Sequence, residues 1–245
     1  RRVLFRSAQA LGSTQTVGLT QSQAGVLEGR DLAQLSSEAL RAITTGSFAS
    51  ISTGAMQSLS SAQVSTLKSE QVSALTTAQA LALGTQQAVG LSSTQASSVE
   101  GVDLAKVTTT ALKALTVDAV ANLTTGAVTS LSSAQFGALE AGQVTALTTT
   151  QAQSLGSAQT VGLTVAQTPS LEGVDLAKLS STALRAIGDT PFASLSTGAV
   201  QYLSSGQFSV LTDNQVIALT TDQAVALGSG QTVGLTSSQA AVLRG

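Results

Sequence analysis

The sequence predicts an all-α solenoid, a superhelix of short helices built from eight-residue repeats nested in 72-residue blocks. Three observations carry that expectation. From Gly12 to Leu243 the chain divides into 29 consecutive octapeptides without an insertion or deletion, such as SSAQVSTL, KSEQVSAL and TTAQALAL. The eighth octad position is Leu in 24 of them and Ile43, Ile51, Val99, Val107 or Ile187 in the others. The fifth position is apolar in 25. Apolar residues three apart share one face of a helical turn, whereas in a strand they would point to opposite faces. Fixed-period self-similarity marks an architecture in which each repeat stacks on its neighbours.

Within an octad the first position is mostly Ser, Thr or Gly, and the fourth is Gln in 17 octads. Ser/Thr-x-x-Gln is a capping box. The hydroxyl accepts from the amide three residues on, and the Gln side chain accepts from the cap residue's own amide. With position 1 as the cap, position 5 and the Leu that ends the preceding octad occupy the places of a hydrophobic staple. Each octad therefore starts a helix, and the next start arrives eight residues later. One continuous helix is disfavoured, because eight residues overshoot two full turns by about 80° and would spiral the Leu stripe round the rod. The chain reads as a string of helices one to two turns long, with positions 2, 3 and 6 outward.

A longer repeat encloses nine octads. EGRDLAQL at 28–35 returns as EGVDLAKV at 100–107 and EGVDLAKL at 172–179. In the first block the fourth position reads Asp31, Ala39, Ser47 and Ala55, then Gln63, Gln71, Gln79, Gln87 and Gln95, and the other two blocks follow the same order except at the variable third place. The expected segments are the end of one block at 8–27, full blocks at 28–99, 100–171 and 172–243, and the start of another at 244–245. Residues 1–7, RRVLFRS, stand outside the repeat and read as the translation of a sequencing adapter, so they are set aside from the fold. The chain then reads as an internal piece of a longer array.

Five finer expectations concern the blocks. The first two octads, as in DLAQLSSEALRAI (31–43), have the spacing of one fused helix that Asp31 could cap. Gly29, Gly101 and Gly173 would break the turn before it. Gly90, Gly162 and Gly234, in the eighth octads, suit helix ends with positive φ. Pro191 falls in a first turn, where its missing N–H costs little. Three octads per superhelical turn would divide the nine-octad block evenly.

Burying one Leu and one Val cannot repay the ordering of eight residues, so an octad depends on its neighbours for stability. The partners implied are thus the neighbouring repeats of the same chain. No run approaches the roughly 20 apolar residues of a membrane span, so no membrane insertion is expected in this segment. Without Arg1, Arg2 and Arg6 the chain has 8 basic and 13 acidic residues, a net charge of −5, which argues against a nucleic-acid surface.

Chemistry is thinly represented. There is no Cys and no His, so neither Ser/His nor Cys/His catalysis can be built. No glycine-rich phosphate loop is present. The recurring EGxD quartet, Glu28 and Asp31, Glu100 and Asp103, Glu172 and Asp175, could hold Ca²⁺, but such sites want six to eight oxygen ligands. A helix cap with a turn is the favoured reading. Lys106 and Lys178 follow Asp103 and Asp175 at ion-pair spacing. The Gln column either closes capping boxes, the favoured reading, or forms an exposed binding ladder. The paired hydroxyls are read as helix starts, with an array for ice or glycan as the alternative. No catalytic, cofactor-binding or metal-binding residue is assigned, no cofactor is implied, and no enzyme activity is expected.

The stretch TDNQVIALTTDQAVAL (212–227), and the phrase L-[ST]-x-x-Q-[hydrophobic]-x-A-L throughout 8–245, resembles the octad arrays of very long repetitive bacterial proteins. Many of these are secreted or lie on the cell surface. The resemblance implies a structural spacer or stalk, as in an adhesin, with an extracellular or cell-surface location, and no functional residue transfers. The alternative is a binding module that uses the repetitive outer face for glycan, ice or protein. The phrase also resembles the opening of the repeat in TAL-effector DNA-binding proteins, but the base-reading pair is missing and the charge is wrong.

Overall fold

The computed structural model describes residues 10–243, so 1–9 and 244–245 lie outside the described residues, and with them the RRVLFRS segment and the start of a further block. The described residues form 28 α-helices of four to six residues and no strand. The octad and the helix coincide. Position 1 is the N-cap in extended backbone, as at Ser60 (φ −73°, ψ 161°), and position 2 opens the helix. The one octad without an α-helix is 164–171, where Thr168–Ser170 is a 3-10 turn that includes Pro169.

The chain divides into two compact units, Arg1–Ser130 and Leu131–Gly245. In the first, each helix packs against the helix three further on: Ser13–Thr16 on Ser37–Ala42, Ser61–Thr66 on Thr85–Val89, and Ser93–Ala96 on Val117–Asn122. The second unit does the same, with Ser133–Gly137 on Ser157–Thr160 and Ser205–Ser209 on Ser229–Thr232. Each unit is therefore a solenoid that winds once per three octads, the number that divides the block evenly. In both units positions 5 and 8 form the interior, and Phe48, Phe136, Phe192 and Phe208 are fully enclosed in it. Positions 2, 3 and 6 lie mostly exposed.

Three local expectations are corrected. Residues 31–43 do not fuse: Gly29–Gln34 and Ser37–Ala42 are separate helices. Leu35 turns extended (ψ 138°) and the Ser36 hydroxyl accepts from the Ala39 amide at 3.2 Å, so local capping prevails over helical spacing. Asp31 caps nothing, since it lies inside the first turn with Glu28 at the N-cap. Gly29, Gly101 and Gly173 do not break a turn but open helices. A Cβ on Gly101 would meet the Gly126 carbonyl at 3.0 Å, and one on Gly173 would enter the Tyr202 ring.

The third correction concerns Gly90, Gly162 and Gly234. No glycine among the described residues has positive φ, and Gly90 has φ −77°. These helices end on ordinary backbone, and the need for glycine comes from crowding. A Cβ there would strike the backbone of Ser61, Ser133 or Ser205, one turn of the solenoid away. Pro191 does lie in the first turn of its helix, Asp189–Ala193.

Packing varies along the array. Position 5 of the fifth octad is Phe136 in the second block and Phe208 in the third, but Val64 in the first. An apolar cavity of about 50 Å³ lies in the first unit, walled by Val64, Leu67, Val72, Leu83 and Leu91 among others. Val64→Phe should fill it and raise stability by about 1 kcal/mol, read as a rise of about 2–4 °C in Tm. A lower Tm would show that the space cannot accept a ring. Gly162→Ala should do the opposite and cost about 2 kcal/mol through overpacking, measured by denaturant titration.

Candidate functional site

The recurring constellation is the Gln at position 4, which joins helix ends from two turns. In Lys68–Leu75 the Gln71 Oε1 accepts from the Lys68 backbone N–H at 3.0 Å. Its Nε2 donates to the carbonyls of Leu40 (2.8 Å) and Ile43 (2.9 Å), 31 and 28 residues earlier. Gln95 donates to Val64 and Leu67, both at 2.7 Å. In the second unit Gln167 reaches Phe136 and Leu139, and Gln215 reaches Leu184 and Ile187. The same side chain thus caps the start of its own helix and the end of a helix in the turn below. Helix termini leave backbone groups unpaired, and a primary amide can serve both kinds because it carries an acceptor and two donors.

Burial raises the value of these bonds. Gln71, Gln95 and Gln215 are 1%, 2% and 0% exposed. The Gln column is therefore neither a surface ladder nor only the closing half of a capping box. Where position 1 is Gly or Lys the hydroxyl half of the box is missing, as at Gly84 and Lys68, yet Gln87 and Gln71 still hold the cap amide at 3.0 Å. That persistence of Gln beside a changing cap residue was the sequence signal for a second role. Ser47, at position 4 of the third octad, makes a shorter version of the link, its Oγ donating to the Leu19 carbonyl at 2.6 Å.

The EGxD quartets form no carboxylate pair suited to a cation. Glu28, Glu100 and Glu172 stand at N-caps without a side-chain cap bond. Asp103 and Asp175 turn inward and are 6% and 4% exposed. Burial holds both carboxyls above the usual carboxylate range, the hydroxyls of Thr77 and Thr149 pull them back down, and Glu100 and Glu172 push them up. Lys106 lies exposed beside its buried Asp103. Among the described residues no three His, Cys, Asp or Glu side chains group as a metal site, and no helix is long and apolar enough to cross a membrane. The ion pair Arg30–Glu28, at 2.7 Å, lies on the surface.

Helices that start on a hydroxyl, share a Gln-bridged interior and wind in equal turns define a structural repeat protein. A family model, the ALTTAQ repeat, matches residues 120–149. No curated protein matches the chain. Among solved structures, the leucine-rich repeat-containing protein LegL7 from Legionella pneumophila is similar over 96% of this chain and 86% of that one, at 13% identity and a TM-score of 0.27, too slight a likeness to bear on the fold.

Gln95→Leu keeps the side-chain volume but strands the Ser92 amide and the Leu67 carbonyl, and leaves the Val64 carbonyl with only its bond from the Leu67 amide. It should cost about 2–4 kcal/mol in chemical denaturation, at about 1–3 kcal/mol for each buried group left unpaired. The exposed Gln15, whose Oε1 accepts from Gly12, should lose less than about 1 kcal/mol on the same change. Equal losses at the two sites would refute the bridging role.

Proposed function

We propose that this chain is a spacer or stalk segment of a large bacterial surface or secreted protein, of the kind that holds an adhesive domain away from a cell, and that it carries no enzyme activity. One observation supports this reading above the others. The same interior bond recurs in turn after turn, so length can be added without any new interaction. Stability in such an array is a sum over neighbours. The outward positions carry mostly Ser, Thr, Ala and Gly with scattered charge, a composition suited to solvation.

A second reading, a binding module for glycan, ice or protein, is favoured by a regular hydroxyl column. Because every third helix stacks, Ser37, Ser61, Thr85 and Thr109 line one side of the first unit. Ser157, Ser181, Ser205 and Ser229 recur with the same 24-residue step in the second unit.

Removing residues 100–171 separates the readings. A spacer should keep its Tm within about 3 °C, a shift of about 1 kcal/mol at this size. Its maximum dimension in small-angle scattering should shrink. Removing the single octad 68–75 moves every later helix by one third of a turn and takes Gly90 away from Ser61, so it should lower Tm more than the nine-octad deletion. A Tm that rises on addition of a glycan would favour the binding module. An export signal or anchor is expected in the full-length gene, and its absence there would overturn the surface location.

A further inference from the structure

The Gln bridges do not run evenly through the repeat. In the first and third blocks the fifth to ninth octads carry them, and each reaches four octads back, from Gln63 on Leu35 to Gln95 on Leu67 and from Gln207 on Leu179 to Gln239 on Leu211. The first four octads of a block hold Asp, Ala, a variable residue and Ala at that position. By the same register they face the last four octads of the block before. The junction between blocks is thus where the double cap is missing.

Four features gather there. Asp103 and Asp175 occupy the Gln position, with a shorter side chain that has no hydrogen to give when ionised. Both are more than nine-tenths buried. In the second unit Asp175 Oδ1 and Thr168 Oγ1 are buried without a hydrogen-bond partner. In the first unit Asp103 lines the apolar cavity together with Val72, Leu75 and Leu83. Unpaired buried oxygens are uncommon in folded proteins and costly.

The charged surroundings are sparse. The helices packed on Gly101–Leu104, which are Thr77–Ala82 and Thr125–Thr129, bring no titratable side chain. Nor do Thr149–Ser154 and Thr197–Gln201, packed on Gly173–Leu176, although the Tyr202 ring follows the latter. Glu100 and Lys106, and Glu172 and Lys178, are the charged neighbours within the two octads themselves. No cation faces either carboxyl from a neighbouring helix.

We propose that each block junction is a proton-operated joint, in which Asp103 and Asp175 in the acid form donate the hydrogen bond that Gln supplies elsewhere, and which loosens when they ionise. The proton comes from solvent and sits on a carboxyl oxygen. By register the acceptors are the carbonyls of the preceding turn, Leu75 for Asp103 and Leu147 for Asp175. The sign follows from linkage. With folded-state values above the ordinary 3.8, the folded chain binds more protons than the unfolded one. The stabilisation is complete below the unfolded value and is lost as pH rises through the folded one. Above the folded values the blocks stay intact and the joints between them weaken.

Hydrogen exchange on the whole chain tests this, with protection corrected for intrinsic rates at pH 7 and pH 4. Residues 100–115 and 172–187 should gain protection several-fold at pH 4 relative to 60–67 and 212–219. Asp103→Asn with Asp175→Asn, of equal size and uncharged, should show high junction protection at both pH values. Thermal melting of this double variant at pH 7 checks that it folds, and a Tm at or above the parent's is expected. Three results would overturn the joint: junction protection that ignores pH, an acid gain that survives in the double Asn variant, or protection at pH 7 that rises with added Na⁺, K⁺ or Ca²⁺, which would mean that a cation fills the gap.

Discussion

A buried primary amide that satisfies two helix ends at once is the interaction on which this array depends. A helix of one or two turns exposes nearly as many unpaired backbone groups as it pairs, which is why such helices do not persist alone in water. Here the N-terminal groups meet a hydroxyl and a Gln oxygen, and the C-terminal carbonyls meet the Gln nitrogen of another turn. The Leu and the apolar residue at position 5 supply the burial that draws the turns together, and the amide makes that burial tolerable for polar backbone. Neither contribution would suffice without the other.

Much of this was legible in the residues. The three-residue spacing of positions 5 and 8 named the interior. The Ser/Thr-x-x-Gln phrase named each helix start, and the nine-octad block was divisible into turns of three. The second half of the Gln role left only one trace, the persistence of Gln beside a changing cap residue, because a sequence does not reveal which carbonyls lie beneath a side chain 28 residues further on. The expectation of positive φ at Gly90, Gly162 and Gly234 failed for a related reason. It took the usual glycine helix stop as its guide, whereas these glycines are demanded by the backbone of a neighbouring turn. Residues 31–43 show the remaining limit: helical spacing suggested one helix, and the competing hydroxyl at Ser36 divided it in two.

The exceptions to the octad rule carry as much information as the rule. Asp103 and Asp175 stand out because each takes the place of a Gln in an interior that rewards donors. Val64 stands out because the corresponding position holds Phe in two other blocks. The two aspartates fall on the junction at which one block follows another, and Val64, in the middle of its block, walls the same cavity as Asp103. The 72-residue block is thus a physical unit as well as a sequence period: bridged by Gln within, and without the double cap where it meets the next.

The winding of three octads per turn has a consequence for inheritance. Tandem copies in a gene gain and lose members when recombination pairs them out of step, and homology favours exchange between whole blocks. A block contains a whole number of windings, so every such exchange returns the chain to the same angular phase, with each glycine again opposite the serine it must touch. Variation in array length can therefore accumulate between lineages without selection having to repair the interior.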